Sequence, residues 1–204
     1  MTFLVVGLGN PGEQYTNTRH NAGREIASAY ARAIELGEFR FEKKWKAEIT
    51  EGVVANIQIK GKYRNTQHAK ATEKIAVILP NTMMNKSGTA VGVAARFFKI
   101  KPKDIFIIHD DADIALGATK LSFGKRSAGH KGVESVIRAL KTKDFWRLRI
   151  GIAGRRDIPA EKLVLKKFTP DEARIMKKVM KKTMTALSAI AADGPERAMN
   201  SYNS

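Results

Sequence analysis

The chain has 204 residues, a formal net charge of +17, 43% apolar residues and no Cys. That length suits one α/β core spanning residues 1–204, and the apolar fraction argues against disorder. The missing Cys removes disulfides, thiolate metal sites and Cys nucleophiles, and fits a reducing compartment. No apolar run reaches membrane-spanning length, and the short N-terminal run has no basic flank, so a cytoplasmic protein with no membrane partner is expected. The positive excess points to a polyanion, with nucleic acid leading; a solvated basic surface is the duller reading.

Phe3-Leu4-Val5-Val6 reads as a buried strand, followed by a long loop, Gly7 to Gly23, dense in Gly, Asn and Pro. Ile26, Ala27, Tyr30, Ala33 and Ile34 then repeat at helical spacing, with Gly37 as the stop. Phe41, Trp45 and Ile49 mark a strand, and Val53 to Ile59 alternates as a second, with Glu51-Gly52 as the turn between them. Residues 61–74 are polar and basic, an expected loop that holds His68. Ile75 to Leu79 is a strand ended by Pro80, and Asn81 to Gly88 leads into a helix burying Val91, Ala94, Ala95 and Phe98. Ile105 to Ile108 is a strand running into His109-Asp110-Asp111-Ala112-Asp113. Thr119 to Phe123 is a weaker strand, Gly124 to Gly132 a basic loop opening a helix through Leu140, and Arg147 to Ile152 a last strand. Thr169-Pro170-Asp171-Glu172 starts a helix that runs to about Ala192, where Gly194-Pro195 stops it. The alternation predicts an α/β chain with a mixed, mostly parallel sheet.

Gly7-Leu8-Gly9-Asn10-Pro11-Gly12 has the letters of a dinucleotide fingerprint. Pro11 and further polar residues delay the helix that should hold the pyrophosphate, so that reading is set aside. The strand ends say more. Asn10, Asn85 and Asp110 each follow an apolar strand, and in an open parallel sheet such loops converge on one crevice, with His20 on the first of them. One imidazole, one carboxylate and two amides suit hydrolysis by water. The imidazole deprotonates the water, the carboxylate fixes its tautomer, and amide NH2 groups stabilise an oxyanion. Each residue also has a structural reading. His20 could cap or face solvent, Asn10 serve its turn, and Asn85 cap a helix; the Asp110, Asp111 and Asp113 run could be an acidic turn or hold a hard cation. His109 and His130 lack a paired ligand pattern, so no metal is expected. Lys120, Lys125, Arg126, Lys131, Arg147 and Arg149 lie on adjacent late elements, and Lys177, Lys178, Lys181 and Lys182 line the last helix. They read as a phosphate track or a solvated face.

The runs VVGLGNPGEQYTNTRHNAG, PNTMMNKSG, IIHDDADIALG, SAGHKG and RLRIGI, in this order, resemble bacterial-type peptidyl-tRNA hydrolases. The resemblance implies a monomeric α/β/α domain of the phosphorylase/hydrolase-like class and a hydrolase without cofactor or metal. Its substrate is peptidyl-tRNA, cleaved between the peptide C-terminus and the 3′-terminal ribose. On the matching positions His20 is the base, Asp110 orients it, and Asn10 holds the peptide main chain. Tyr15, Met83 and Asn85 line the substrate groove, and Arg149 matches a basic residue near the tRNA's terminal phosphate. Lys131 is expected in the same groove, and Lys120, with Lys125 or Arg126 in place of a basic residue at Ser122, at tRNA phosphates. The family pattern has an aromatic residue at Met83, Asn at Lys131 and a basic residue at Ser122. Proteins similar to this family also include RNA-binding factors without hydrolase activity. A small-ester esterase leaves the charge unexplained.

Overall fold

Apolar runs become strands here because each is too short for a helix of three turns and is bounded by turn residues. The computed structural model describes residues 2–54, 73–154 and 158–203. In chain order the elements are β1 (Thr2–Gly7), α1 (Ala22–Ala33), β2 (Arg40–Glu42), β3 (Ala47–Val54), β4 (Glu73–Pro80), α2 (Ser87–Phe97), β5 (Ile105–Ala115), β6 (Thr119–Phe123), α3 (Lys131–Leu140), β7 (Trp146–Ala153), α4 (Ala160–Leu163), α5 (Pro170–Asp193) and α6 (Pro195–Tyr202). The strands form one seven-stranded sheet in the order β2-β3-β4-β1-β5-β7-β6. Its four central strands, β4, β1, β5 and β7, are mutually parallel, and antiparallel strands close both sides. This is the expected single α/β domain with a mixed, mostly parallel sheet.

The central strands are buried on both faces, so they read as continuous apolar runs rather than alternating ones. On one face Val5, Phe106, Ile108 and Leu148 pack against α1, α5 and α6 through Ile26, Tyr30, Val179, Leu187 and Tyr202. On the other, Leu4, Val6, Ile105 and Ile107 pack against α2 and α3 through Val91, Ala94, Val133 and Val136. Burying side chains of this size contributes roughly 1.5–3 kcal/mol each. The parallel arrangement brings the carboxyl ends of β1, β4 and β5 to one edge.

Four expectations change. Glu51-Gly52 is no turn: both residues lie inside β3 opposite Ala76 and Ile75, and the chain reverses at residues 43–46, where Lys46 takes a positive φ of 50°. Of the expected 53–59 strand, Val53 and Val54 belong to β3 and the rest lies outside the described residues. Of the 61–74 loop, Glu73 and Lys74 are in β4; the remainder, with His68, also lies outside them. The strand from Ile105 does not end at Ile108. It carries the acidic run to Ala115, because Asp110 and Asp111 continue the ladder opposite Ile150 and Gly151 of β7.

The Thr169 start is borne out as a full capping box. Its side chain accepts from Glu172 N–H, while the Glu172 carboxylate accepts from Thr169 N–H at 2.9 Å. Gly194 ends α5 as expected, but Pro195 then opens α6, for which Pro in the first turn is well suited. Phe98 is only partly buried; it joins an aromatic cluster with Trp45 and Phe97. Among the described residues no helix is long and apolar enough to cross a membrane.

Candidate active site

The loop after β1 is held open by its own backbone partners. Asn21 donates its Nδ2 to the Asn10 carbonyl at 3.0 Å and accepts the Asn10 N–H at 2.8 Å, so one side chain clamps both backbone groups. The short 3-10 turn Arg19–Asn21 then runs straight into α1. Gly23 lets α1 approach so closely: a Cβ there would collide with the Ile108 carbonyl oxygen of β5. The approach brings His20 onto the strand. The imidazole Nδ1 lies 2.9 and 3.0 Å from the two Asp110 carboxylate oxygens, across 90 residues of chain.

A second imidazole meets the same carboxylate. His130 caps α3: its Nδ1 accepts the N–H groups of Gly132 and Val133 at 3.1 and 3.2 Å. That occupies the Nδ1 lone pair, so Nε2 carries the hydrogen and donates it to Asp110 Oδ1 at 3.0 Å. A third ring, His109, donates Nδ1–H to the Asp110 backbone carbonyl at 2.7 Å and meets His130 edge-on. Burial alone would raise the Asp110 carboxyl. The electrostatic attraction and hydrogen bond of the His130 N–H, with those of the His20 N–H, outweigh burial and hold it well below the usual carboxylate range. Asp110 is therefore an anion with 1% exposure, whose function is to accept. His109 is buried, which, reinforced by the neighbouring His130, pushes it far below its ordinary value, so it stays neutral.

Because Asp110 accepts from His20 Nδ1, His20 Nε2 keeps a lone pair, and the ring lines a cavity of about 430 Å3. Asn10 lines it too. Its Oδ1 accepts the Met84 N–H at 2.7 Å, which fixes the amide orientation and leaves the NH2 group as an available donor. Met83, Met84, Val164 and Leu165 supply apolar wall; Asn85, Asp111, Asp113, His130, Lys131 and Glu161 supply polar wall. Asn85 caps nothing: Lys86 holds the cap position of α2, and the exposed Asn85 amide projects at the cavity.

The expected residues do not all converge. His20, Asp110, Asn10, Met83, Asn85 and Lys131 do; Tyr15, on the same loop, is not among the cavity-lining residues. Arg149 is occupied: its Nε donates to Asp111 Oδ2 at 2.6 Å. Lys120 stands opposite Arg149 on the adjoining strand, exposed, as are Lys125 and Arg126 in the loop after β6. Ser122 is buried opposite Arg147. Arg147 itself is 2% exposed; burial, then the charge of Arg149, lowers it to about 10, and its Nη1 donates to the Arg126 carbonyl at 2.7 Å. It thus fastens the loop that leads to His130.

His130, Asn21 and Asp111 were missed as site residues. For His130 a signal existed: it stands at a Gly-flanked helix start, where an imidazole can cap. Asn21 and Asp111 act through distant partners that carry no local pattern. The donor atoms of His20, Asp110 and His130 lie within 4.8 Å of one another, a spacing that a metal ion could use. Both imidazole nitrogens there already donate to Asp110, so a metal would have to replace those two protons.

The description "Peptidyl-tRNA hydrolase" belongs to the family model that matches residues 4–204. The chain belongs to the peptidyl-tRNA hydrolase family. A peptidyl-tRNA hydrolase of Desulfitobacterium hafniense is 37% identical over 202 residues, covering 98% of each chain. One from Mycobacterium sp. (strain KMS) is 38% identical over 201 residues, covering 97% of this chain and 95% of its own. The crystal structure of peptidyl-tRNA hydrolase from Acinetobacter baumannii superposes with a TM-score of 0.83 at 29% identity, covering 99% of this chain and 94% of that one. For a member of this family, the pairing of an aspartate with two imidazoles beside a roomy cavity is the feature that calls for a chemical account.

Proposed function

We propose that this chain hydrolyses the ester between a peptide C-terminus and the 3′-terminal ribose of tRNA, acting as a monomer in the cytoplasm. The contact of His20 with Asp110, with Nε2 left open to the cavity beside the Asn10 amide, carries the reading. His20 Nε2 takes a proton from water as the water oxygen bonds to the ester carbonyl carbon. Asp110 stabilises the imidazolium through Nδ1–H. Asn10 Nδ2 donates to the substrate carbonyl and to the oxyanion that develops on it, with Asn85 as a further amide at the same wall. Collapse of the tetrahedral species breaks the bond to the ribose 3′-oxygen, which leaves with the proton from His20. The products are a free peptide carboxyl and a tRNA 3′-hydroxyl.

The apolar wall at Met83 and Leu165 suits peptide side chains, and Lys120, Lys125 and Arg126 offer exposed cations to tRNA phosphates. Tyr15 contributes at the loop outside the cavity. Arg149 reaches a phosphate only by sharing or leaving Asp111. The test is release of N-acetyl amino acid from N-acetyl-aminoacyl-tRNA. His20→Ala is expected to lower kcat by roughly 10²–10⁴ while tRNA affinity stays within about threefold of wild type. Undiminished turnover in that variant overturns the base assignment. Tight RNA binding by the wild-type chain without ester cleavage would instead favour an RNA-binding factor of this fold.

A further inference from the structure

A second cavity, of about 320 Å3, adjoins the first and is lined by Asn85, Ser127, Gly129, Lys131, Glu134 and Arg138. Four of these, Asn85, Ser127, Gly129 and Lys131, also line the first, so the cavities are two sides of one wall. Their chemistry differs. The first has an apolar face built from Met83, Met84, Val164 and Leu165; no apolar side chain lines the second.

An ester substrate of the kind proposed above has two halves, an acyl chain and a nucleotide. Apolar wall favours the acyl half, and the polar cavity beyond Lys131 is left for the nucleotide half. We propose that this second cavity binds the 3′-terminal nucleotides of the substrate RNA, with Arg138 engaging a backbone phosphate there. Lys131 and Arg138 lie seven residues apart on α3, hence on one face and about 10 Å apart along the axis. Arg138 is exposed and makes no ion pair among the described residues, even with Glu134 one turn before it. Lys131 is also solvated; its Nζ lies 3.6 Å from the exposed Glu161 carboxylate. Two cations beside one carboxylate match a nucleotide, which presents phosphate oxygens to the cations and hydroxyl or amino hydrogens to Glu134.

The inference rests on the hydrolase reading, and a double-mutant cycle between protein and RNA separates the two. N-acetyl-aminoacyl-tRNA is prepared with each of its last two internucleotide linkages, in turn, as a neutral methylphosphonate. At one of the two, kcat/KM of the wild-type chain is expected to fall about fivefold, the scale of one solvated ion pair. Arg138→Ala is expected to lose about as much on unmodified tRNA, and to lose nothing further on that methylphosphonate. Arg138→Lys should restore sensitivity to the linkage, because it restores the charge. Lys101→Ala, which removes a charge ahead of β5 at a residue lining neither cavity, should not couple to either linkage. Losses that multiply at both linkages, or equal coupling for Lys101, overturn the inference. Absence of any ester cleavage by the wild-type chain overturns the hydrolase reading, and this inference with it.

Discussion

Asp110 is asked to do two things at once: orient His20 and receive His130. A carboxylate can accept both N–H groups because it offers about four lone-pair directions. His130 cannot turn away, since its other nitrogen is the cap of α3. The rotamer of Asp110 is thereby held from two sides, and His20 is presented in one tautomer. The residue beside it has a separate consequence for stability. His109 is held neutral in the fold, chiefly by burial, while the unfolded chain protonates it near its ordinary pKa of 6.5. Below about pH 6.5 the unfolded state therefore binds the extra proton, and stability is lost as the pH falls. His109→Asn keeps a side-chain donor for the Asp110 carbonyl but cannot titrate. Denaturant unfolding is expected to show a smaller loss of stability between about pH 7 and 5 in that variant than in wild type. Equal pH slopes would refute the assignment. Asp110, held low, has the same sign but a different window: its contribution is lost only below the ordinary carboxylate range.

At the scale of elements, the site depends on how close α1 lies to β5. Gly23 sits at that crossing, and its missing side chain leaves room for the Ile108 carbonyl oxygen. Gly23→Ala should push α1 off the strand and cost about 1–3 kcal/mol. Chemical denaturation would register that loss, and kcat should fall with it because His20 rides on the turn before the helix. A variant of wild-type stability and activity would show that the approach is slack. The same turn is tied from its other side. Arg19, next to His20, is buried and donates Nη2 to Glu172 Oε2 at 2.7 Å, in the first turn of α5. Glu172 is thus the cap partner of Thr169 and the anchor of the loop at once. The backbone N–H of His20 meets the Val164 carbonyl at 2.8 Å, which joins the segment after β7 to the catalytic loop.

Over the whole molecule, the charge of +17 has to be weighed against its few buried pairs. Most cations named here are exposed, so phosphate binding through them releases counterions and weakens with salt. Raising salt from about 50 to 200 mM is expected to lower kcat/KM on the tRNA ester at least tenfold, with kcat nearly constant. A salt-independent kcat/KM would point to a small ester instead. The central apolar strands, the Thr169 cap, the loop after β1 and the basic balance were legible in the residues, because each rests on local pattern: period, turn chemistry or composition. The turn at 43–46 was not, since Glu51-Gly52 has turn-like letters while pairing with β4 decided otherwise. His130 looked like an unpaired histidine until α3 was placed beside β5. Nor was the pairing of Arg149 Nε with Asp111 legible, because the two meet across neighbouring strands. The amino-acid sequence by itself determined the central apolar strands, the helices α1, α2, α3 and α5, that polar loops follow the apolar strands, and that the surface is cationic. Only the tertiary structure decided which carboxylate each histidine and arginine meets, because those contacts join residues up to 153 apart whose proximity is set by sheet order and helix packing rather than by any local pattern.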